Sequence, residues 1–359
     1  MAMEIKSPPV LRGKATDIFS GLILRNVTII FFSLIFFSSC NDEEIAPSIL
    51  PPSPVASFDY SDHIDFFSVY STSTGEISEY LWQVTGDHQV ILKQQGKNYA
   101  DFDLPSVETS ITFTLTVKNS GGSSTCTKTI DLPALTYCRK YGLGKNSKSE
   151  HSNNVDYEWY IDQTVTGDMS QANCGPSCAT MAMKWSDQSF NKTTEDARKA
   201  YSFIISGLTG WFQNTMLFYL RDNYAEHKKV YFWDSNNLKS KIDDGNIAIL
   251  ALNMKFIRSG NLNNPEWRID GINTGNWNSG HFIIVKGYKI VDETLWLEVY
   301  DPYSNGLRYN DGTLKGRDRY YRGEDIMQAM YNCKDISQAI DIGNPYPEMI
   351  ILYRKEDLN

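Results

Sequence analysis

Cysteine and histidine are scarce in this chain of 359 residues, which holds six of the first and five of the second. No HExxH and no paired CxxC occurs, and no second histidine accompanies His281, so neither a metal nor another cofactor is expected. Glycine-rich phosphate signatures are missing too, because the loop ending at Gly280 leads into a strand pattern rather than a helix. A formal net charge of -9 leaves no basic footprint and argues against nucleic acid as a partner. The apolar run VTIIFFSLIFF, Val27 to Phe37, spans about 11 residues where a membrane helix needs ~20, and no second run comes closer. What is left is a globular composition, 41% apolar, with few side chains able to do covalent chemistry.

That short apolar run follows Lys6, Arg12, Lys14 and Arg25 and precedes Ser38-Ser39-Cys40, the arrangement of an export signal. The small residues before Cys40 resemble the lipobox of bacterial lipoproteins. The resemblance implies that residues 1–39 are a signal peptide and that Cys40 becomes a lipidated N-terminus, tying the protein to the cell envelope. Asp42, Glu43 and Glu44 resemble the tag that sends some lipoproteins of Gram-negative bacteria to the outer surface, although a solvated charge run reads the same way. Membrane attachment would then depend on Cys40 alone, and the expected location is the outer membrane.

Residues 40–54 form an acidic and proline-rich tether, with four prolines in IAPSILPPSP. From 55 to 135 short alternating strands follow at intervals of roughly 8 to 12 residues, as in an all-β sandwich. In TFTLTV the residues Phe113, Leu115 and Val117 share one face and Thr112, Thr114 and Thr116 the other. SEYLWQVTG followed by TFTLTVKNSGGSSTCTKTI resembles a PKD-type immunoglobulin-like domain, which places Trp82 between the sheets. Such a module is expected to act as a spacer, with glycan or protein binding as the alternative.

Residues 136–156 are polar and suggest a linker, and the domain from 157 to 359 mixes helix and strand patterns in an α+β arrangement. Its first helix opens at SQANCGPSCATMAMKW. Pro176 suits a first helical turn, Gly175 permits a sharp bend into it, and Cys178, Met181, Ala182 and Trp185 recur at helical spacing. Cys174 therefore stands at a helix N-terminus, where the helix dipole favours a thiolate. A small buried residue or a disulfide partner fits the same position equally well.

A nucleophile needs a base. His63 and His88 lie in the β module, His151 in the linker and His227 in the charged stretch AEHKK. His281 opens the apolar strand HFIIVKGYKI, and the following strand LWLEVYD ends at Asp301. A hairpin turn at Val291 to Thr294 would fold His281 against about residue 303, beside Asp301. An imidazole oriented by a carboxylate is what activates a thiol and later protonates a leaving amine.

In order along the chain, Gln163 in YIDQ, Cys174-Gly175-Pro176, HFIIVKGY and Tyr300-Asp301-Pro302 resemble the bacteriocin-processing-peptidase-like branch of the papain-like cysteine peptidases, over about residues 157 to 352. The resemblance implies a papain-like fold, Cys174 as nucleophile, His281 as general base and acid, and Asp301 as the orienting residue. It also implies Gln163 as oxyanion donor, with Gln171 the competitor nearer the cysteine. A peptide or protein substrate is expected. Amide hydrolysis or acyl transfer on peptidoglycan peptides or small amides uses the same thiolate, and a non-catalytic surface-binding protein on this scaffold is the third alternative. Trp267 and Trp277 either rim the cleft or pack beneath its loop. Without Cys40, five cysteines remain, an odd number that leaves a free thiol; Cys126 with Cys138 and Cys178 with Cys333 are the candidate bridges.

Overall fold

A computed structural model describes residues 49–86, 91–201, 210–258, 264–269, 280–333 and 346–354. Cys40, the apolar run before it, His88 and Trp277 lie outside the described residues. The protein is mixed α and β with more strand than helix, and it divides into two compact units, Met1–Ala134 and Leu135–Asn359.

Among the described residues, seven strands build the first unit: β1 (Phe58–Asp62), β2 (Phe66–Ser71), β3 (Glu79–Thr85), β4 (Leu92–Gln95), β5 (Tyr99–Asp103), β6 (Thr109–Asn119) and β7 (Gly122–Leu132). They form two antiparallel sheets, in the orders β1-β2-β5-β4 and β3-β6-β7. Aromatic residues join the two inner faces. Trp82 meets the Phe58 ring edge-on at 5.3 Å, while Phe113 touches Phe67 and Phe102 at 5.9 and 5.4 Å. Along β6 the alternation sends Phe113, Leu115 and Val117 inward to full burial. Its threonines point outward and pair across the ladder with β7, Thr112 with Thr129, Thr114 with Thr127 and Thr116 with Thr125, at 2.9 to 3.1 Å.

The second unit begins with α1 (Tyr137–Lys140) and β8 (Ser147–Ser152). This corrects the reading of 136–156 as a linker. Cys138, Tyr141 and Leu143 are buried, Thr136 caps α1 by accepting from the Arg139 N–H, and β8 pairs with a strand of the main sheet. Polarity misleads here because β8 is held by backbone hydrogen bonds at an edge, which ask nothing of its side chains.

Next come α2 (Cys174–Ser186), α3 (Thr194–Ala200), α4 (Gln213–Asp222), β9 (His227–Tyr231), α5 (Ser235–Asp243), β10 (Ile247–Asn253), β11 (Gly280–Val291), β12 (Thr294–Tyr300), β13 (Arg319–Arg322), α6 (Gly323–Tyr331) and β14 (Glu348–Leu352). The strands make one antiparallel sheet in the order β13-β12-β11-β10-β14-β9, with β8 added alongside β11. Helices cover both faces, so successive residues of the central strands alternate between two cores. Ile249, Ile284 and Ile350 pack with Met181, Trp185 and Leu220 of α2 and α4. Leu250, Ile283, Val285 and Ile351 pack with Leu238 and Ile242 of α5 and Ile326 and Met330 of α6. A sheet buried on both sides explains the near-continuous apolar runs IAILAL and HFIIV.

Candidate active site

Cys174 is the first residue of α2, and a hydrogen-bonded brace fixes the turn in front of it. Asn173, fully buried, donates through Nδ2 to the Thr166 carbonyl and hydroxyl at 3.0 and 2.9 Å. Its Oδ1 accepts from Arg198 Nε at 2.8 Å, and Arg198 Nη2 donates to the Ala172 carbonyl at 2.6 Å. Gly175 is required by crowding: a Cβ there would lie 2.7 Å from Cβ of Trp211. A side chain at this place would push α2 away from the segment that leads into α4.

The partners of Cys174 come from the β11–β12 hairpin. Its two turn residues, Asp292 and Glu293, have φ of 45° and 63°, the left-handed pair of a tight type I′ turn. From Val291↔Thr294 the ladder runs in register to Gly287↔Glu298, then skips Lys286 and resumes at Val285↔Val299. This one-residue bulge decides which residues face each other at the far end. There His281 Nε2 donates to Asp301 Oδ1 at 2.8 Å. With Nε2 occupied, Nδ1 is the ring nitrogen left for the Cys174 thiol, with which His281 is hydrogen-bonded.

Asp301 is wholly buried. Its Oδ1 also accepts the Tyr303 N–H at 2.9 Å, and its Oδ2 accepts the Tyr321 hydroxyl at 2.7 Å and faces Arg319 Nη1 at 3.7 Å. Burial alone would raise this carboxyl, but the His281 charge and hydrogen bond, Arg319 and Tyr321 hold it down at about 2. Burial pushes the His281 ring the other way, yet Asp301 and Cys174 raise it to about 10. For Cys174, burial is outweighed by the hydrogen bond and charge of His281 and by the N–H groups of Phe282 and Gly175, so the thiol lies below its ordinary value. Both shifts favour a thiolate beside an imidazolium over a thiol beside a neutral ring. His281 keeps 13% of its side chain exposed and Cys174 is half-buried, so the pair opens to solvent on one side.

The two glutamines weighed as oxyanion donor differ in their surroundings. Gln163 is buried, and its amide donates to the carbonyls of Ser170 at 2.9 Å and Gln171 at 3.3 Å. That amide thus ties down the short turn Ser170–Ala172 in front of Cys174. Gln171 is exposed, with Oε1 accepting from the Tyr303 hydroxyl at 3.3 Å. Trp267 packs against Gly142, where an added Cβ would come within 2.4 Å of its ring. His151 and His227 are engaged locally, with Asn153 Oδ1 and the Ala225 carbonyl, each at 2.8 Å. No disulfide joins the cysteines among the described residues, so neither candidate bridge is formed.

Sequence reasoning missed Arg198, Asn173, Arg319 and Tyr321. Asn173 directly precedes Cys174 and could have been suspected as the residue capping α2. Arg319 and Tyr321 share one face of β13, where alternation in RYYR was the available signal. Nothing local marks Arg198. Beside the site, a cleft of about 730 Å³ runs between the segment of Tyr160, Asp162 and Val165 and that of Arg308, Asp311 and Arg317. Tyr160 links cleft to site by donating its hydroxyl to the Asp301 carbonyl at 2.8 Å.

No family model and no curated protein matches the chain. Among solved structures it is similar to a candidate C39-like peptidase from Bacillus anthracis, at 13% identity over 58% of this chain and 99% of the other, with a TM-score of 0.37. It is also similar to the PKD1 domain of the Vibrio cholerae metalloprotease PrtV, at 27% identity over 23% of this chain and 99% of that one, with a TM-score of 0.19.

Proposed function

We propose that this chain is a cysteine peptidase with a papain-like catalytic domain of the bacteriocin-processing-peptidase-like branch, preceded by a PKD-type immunoglobulin-like domain and held at the bacterial envelope by lipid on Cys40. The observation that carries the catalytic reading is the relay itself: Asp301 takes Nε2 of His281, which turns Nδ1 to the thiol at the N-terminus of a helix. In this reading the Cys174 thiolate attacks a peptide carbonyl, and the imidazolium then protonates the leaving amine as the acyl-enzyme forms. Neutral His281 next draws a proton from water, whose oxygen attacks the thioester and restores the thiolate. The backbone N–H of Cys174 is one donor to the oxyanion. Gln163 or Gln171 would supply a second; the Gln163 amide bonds the carbonyls of Ser170 and Gln171, and the Gln171 side chain is exposed.

The test is labelling with an electrophilic thiol probe followed by a peptide-library cleavage screen. Cys174 is expected to react in a His281-dependent way, and Cys174→Ala to abolish hydrolysis while the protein stays folded. Full turnover in the Cys174 variant would end the peptidase reading. Attachment is tested separately. Cys40→Ser should leave the protein unprocessed or release it from the detergent-partitioning fraction, and an unmodified mature N-terminus at another residue, seen by mass spectrometry, would contradict lipidation.

A further inference from the structure

Arg319 is an unusual residue to bury. It is fully enclosed, and its Nε and Nη2 meet no hydrogen-bond acceptor among the described residues. Its Nη1 reaches the Tyr321 hydroxyl at 3.3 Å and Asp301 Oδ2 at 3.7 Å. Placing an arginine inside a protein with so few partners is costly, so its surroundings must supply charge. The charges facing this region are those of the proposed relay together with Arg198 of α3, which stands on the Cys174 side and feels the charge of that sulfur. Cys174 with neutral Cys178 come from α2, His281 from β11, Asp301 from the end of β12 and Arg319 from β13. The tyrosines Tyr160, Tyr309 and Tyr321 complete the lining.

We propose that Arg319 is a positioning residue that offsets the charge of the buried Asp301 carboxylate, so that a thiolate can persist in the same site. This rests on the reading of Cys174, His281 and Asp301 as catalytic. Thiolate, imidazolium and carboxylate alone would leave one net negative charge in a poorly solvated place, and the cheapest remedy would be a proton on sulfur. The Arg319 guanidinium offsets that charge from behind. Tyr321 bridges the two, donating to Asp301 Oδ2 while accepting from Arg319. Arg319 touches no reacting atom; the relay atom it faces is Asp301 Oδ2.

Removing a positive charge favours proton binding at every nearby group, so both limbs of the pH profile should move up. The experiment follows Cys174 alkylation by iodoacetamide against pH in the full chain, for the parent protein and for Arg319→Met, Arg319→Lys and Asp301→Asn. Arg319→Met is expected to move both limbs upward by about one pH unit. Asp301→Asn should move them downward, and Arg319→Lys should leave them near their original place. If Arg319→Met fails to fold, Tyr321→Phe replaces it, with a smaller upward shift expected from loss of the hydroxyl on Oδ2. Limbs that stay in place in the folded variants, with only the labelled fraction falling, would mean a structural role and overturn the proposal. An ordinary thiol profile in the parent protein would instead remove the catalytic reading, and with it this one.

Discussion

At the scale of single residues, the pKa shifts of Asp301 and His281 make opposite and testable contributions to stability. Asp301 is held at about 2, below its unfolded value of about 4. It therefore stabilises the fold above pH ~4, and that contribution is lost as pH falls toward about 2. His281 is raised to about 10 from about 6.5, so its contribution is complete below pH ~6.5 and lost as pH rises through about 10. These two shifts together support the fold most between about pH 4 and 6.5. Urea midpoints measured across pH for the parent protein and Asp301→Asn would check this, with the acid loss expected to be shallower in the variant. Parallel curves would show that the carboxylate carries no such linkage. Cys174, His281 and Asp301 were legible in the sequence because a helix start, a strand start and a strand end are local patterns. Where the Gln163 amide points was not, since it depends on carbonyls displayed by a turn seven residues away.

Among the elements, the β11–β12 hairpin bears most on the site, and its bulge is guarded by a buried charge cluster. Lys286, the skipped residue, is fully buried and bonds Glu298 at 2.5 Å and Asp318 at 2.9 Å. Beside it, Gly287 admits β8, since a Cβ there would lie 2.6 Å from the His151 carbonyl. Lys286→Met should leave Glu298 buried without its cation and cost about 3–5 kcal/mol, read from denaturant unfolding. A change below about 1 kcal/mol would show that the cluster contributes only register. The apolar strands of this sheet stood out as runs of Ile, Leu and Val, and β6 by its alternation. β4 and β8 did not, because LKQQ and SKSEHS lie where backbone pairing, rather than side-chain burial, makes the strand. For the same reason the polar stretch at 136–156 passed for a linker.

For the whole molecule, each unit has its own core and its own sheets, and every described member of the relay belongs to Leu135–Asn359. A fragment of residues 135–359 is therefore expected to fold and to keep the His281-dependent reactivity of Cys174 within about twofold of the full chain. Loss of labelling in a fragment that retains its circular dichroism would assign the first unit a part in catalysis. The relay also has a wide span in sequence. Cys174 opens α2, and its partners arrive with β11 and β12, after five intervening elements. In an unfolded chain Cys174 has neither His281 nor a helix terminus beside it, so it is an ordinary, sluggish thiol. Latency is thus written into the order of the elements. A chain threading a translocation channel would be chemically silent toward its neighbours, and the moment its sulfur became reactive would report that the hairpin had docked on the helix.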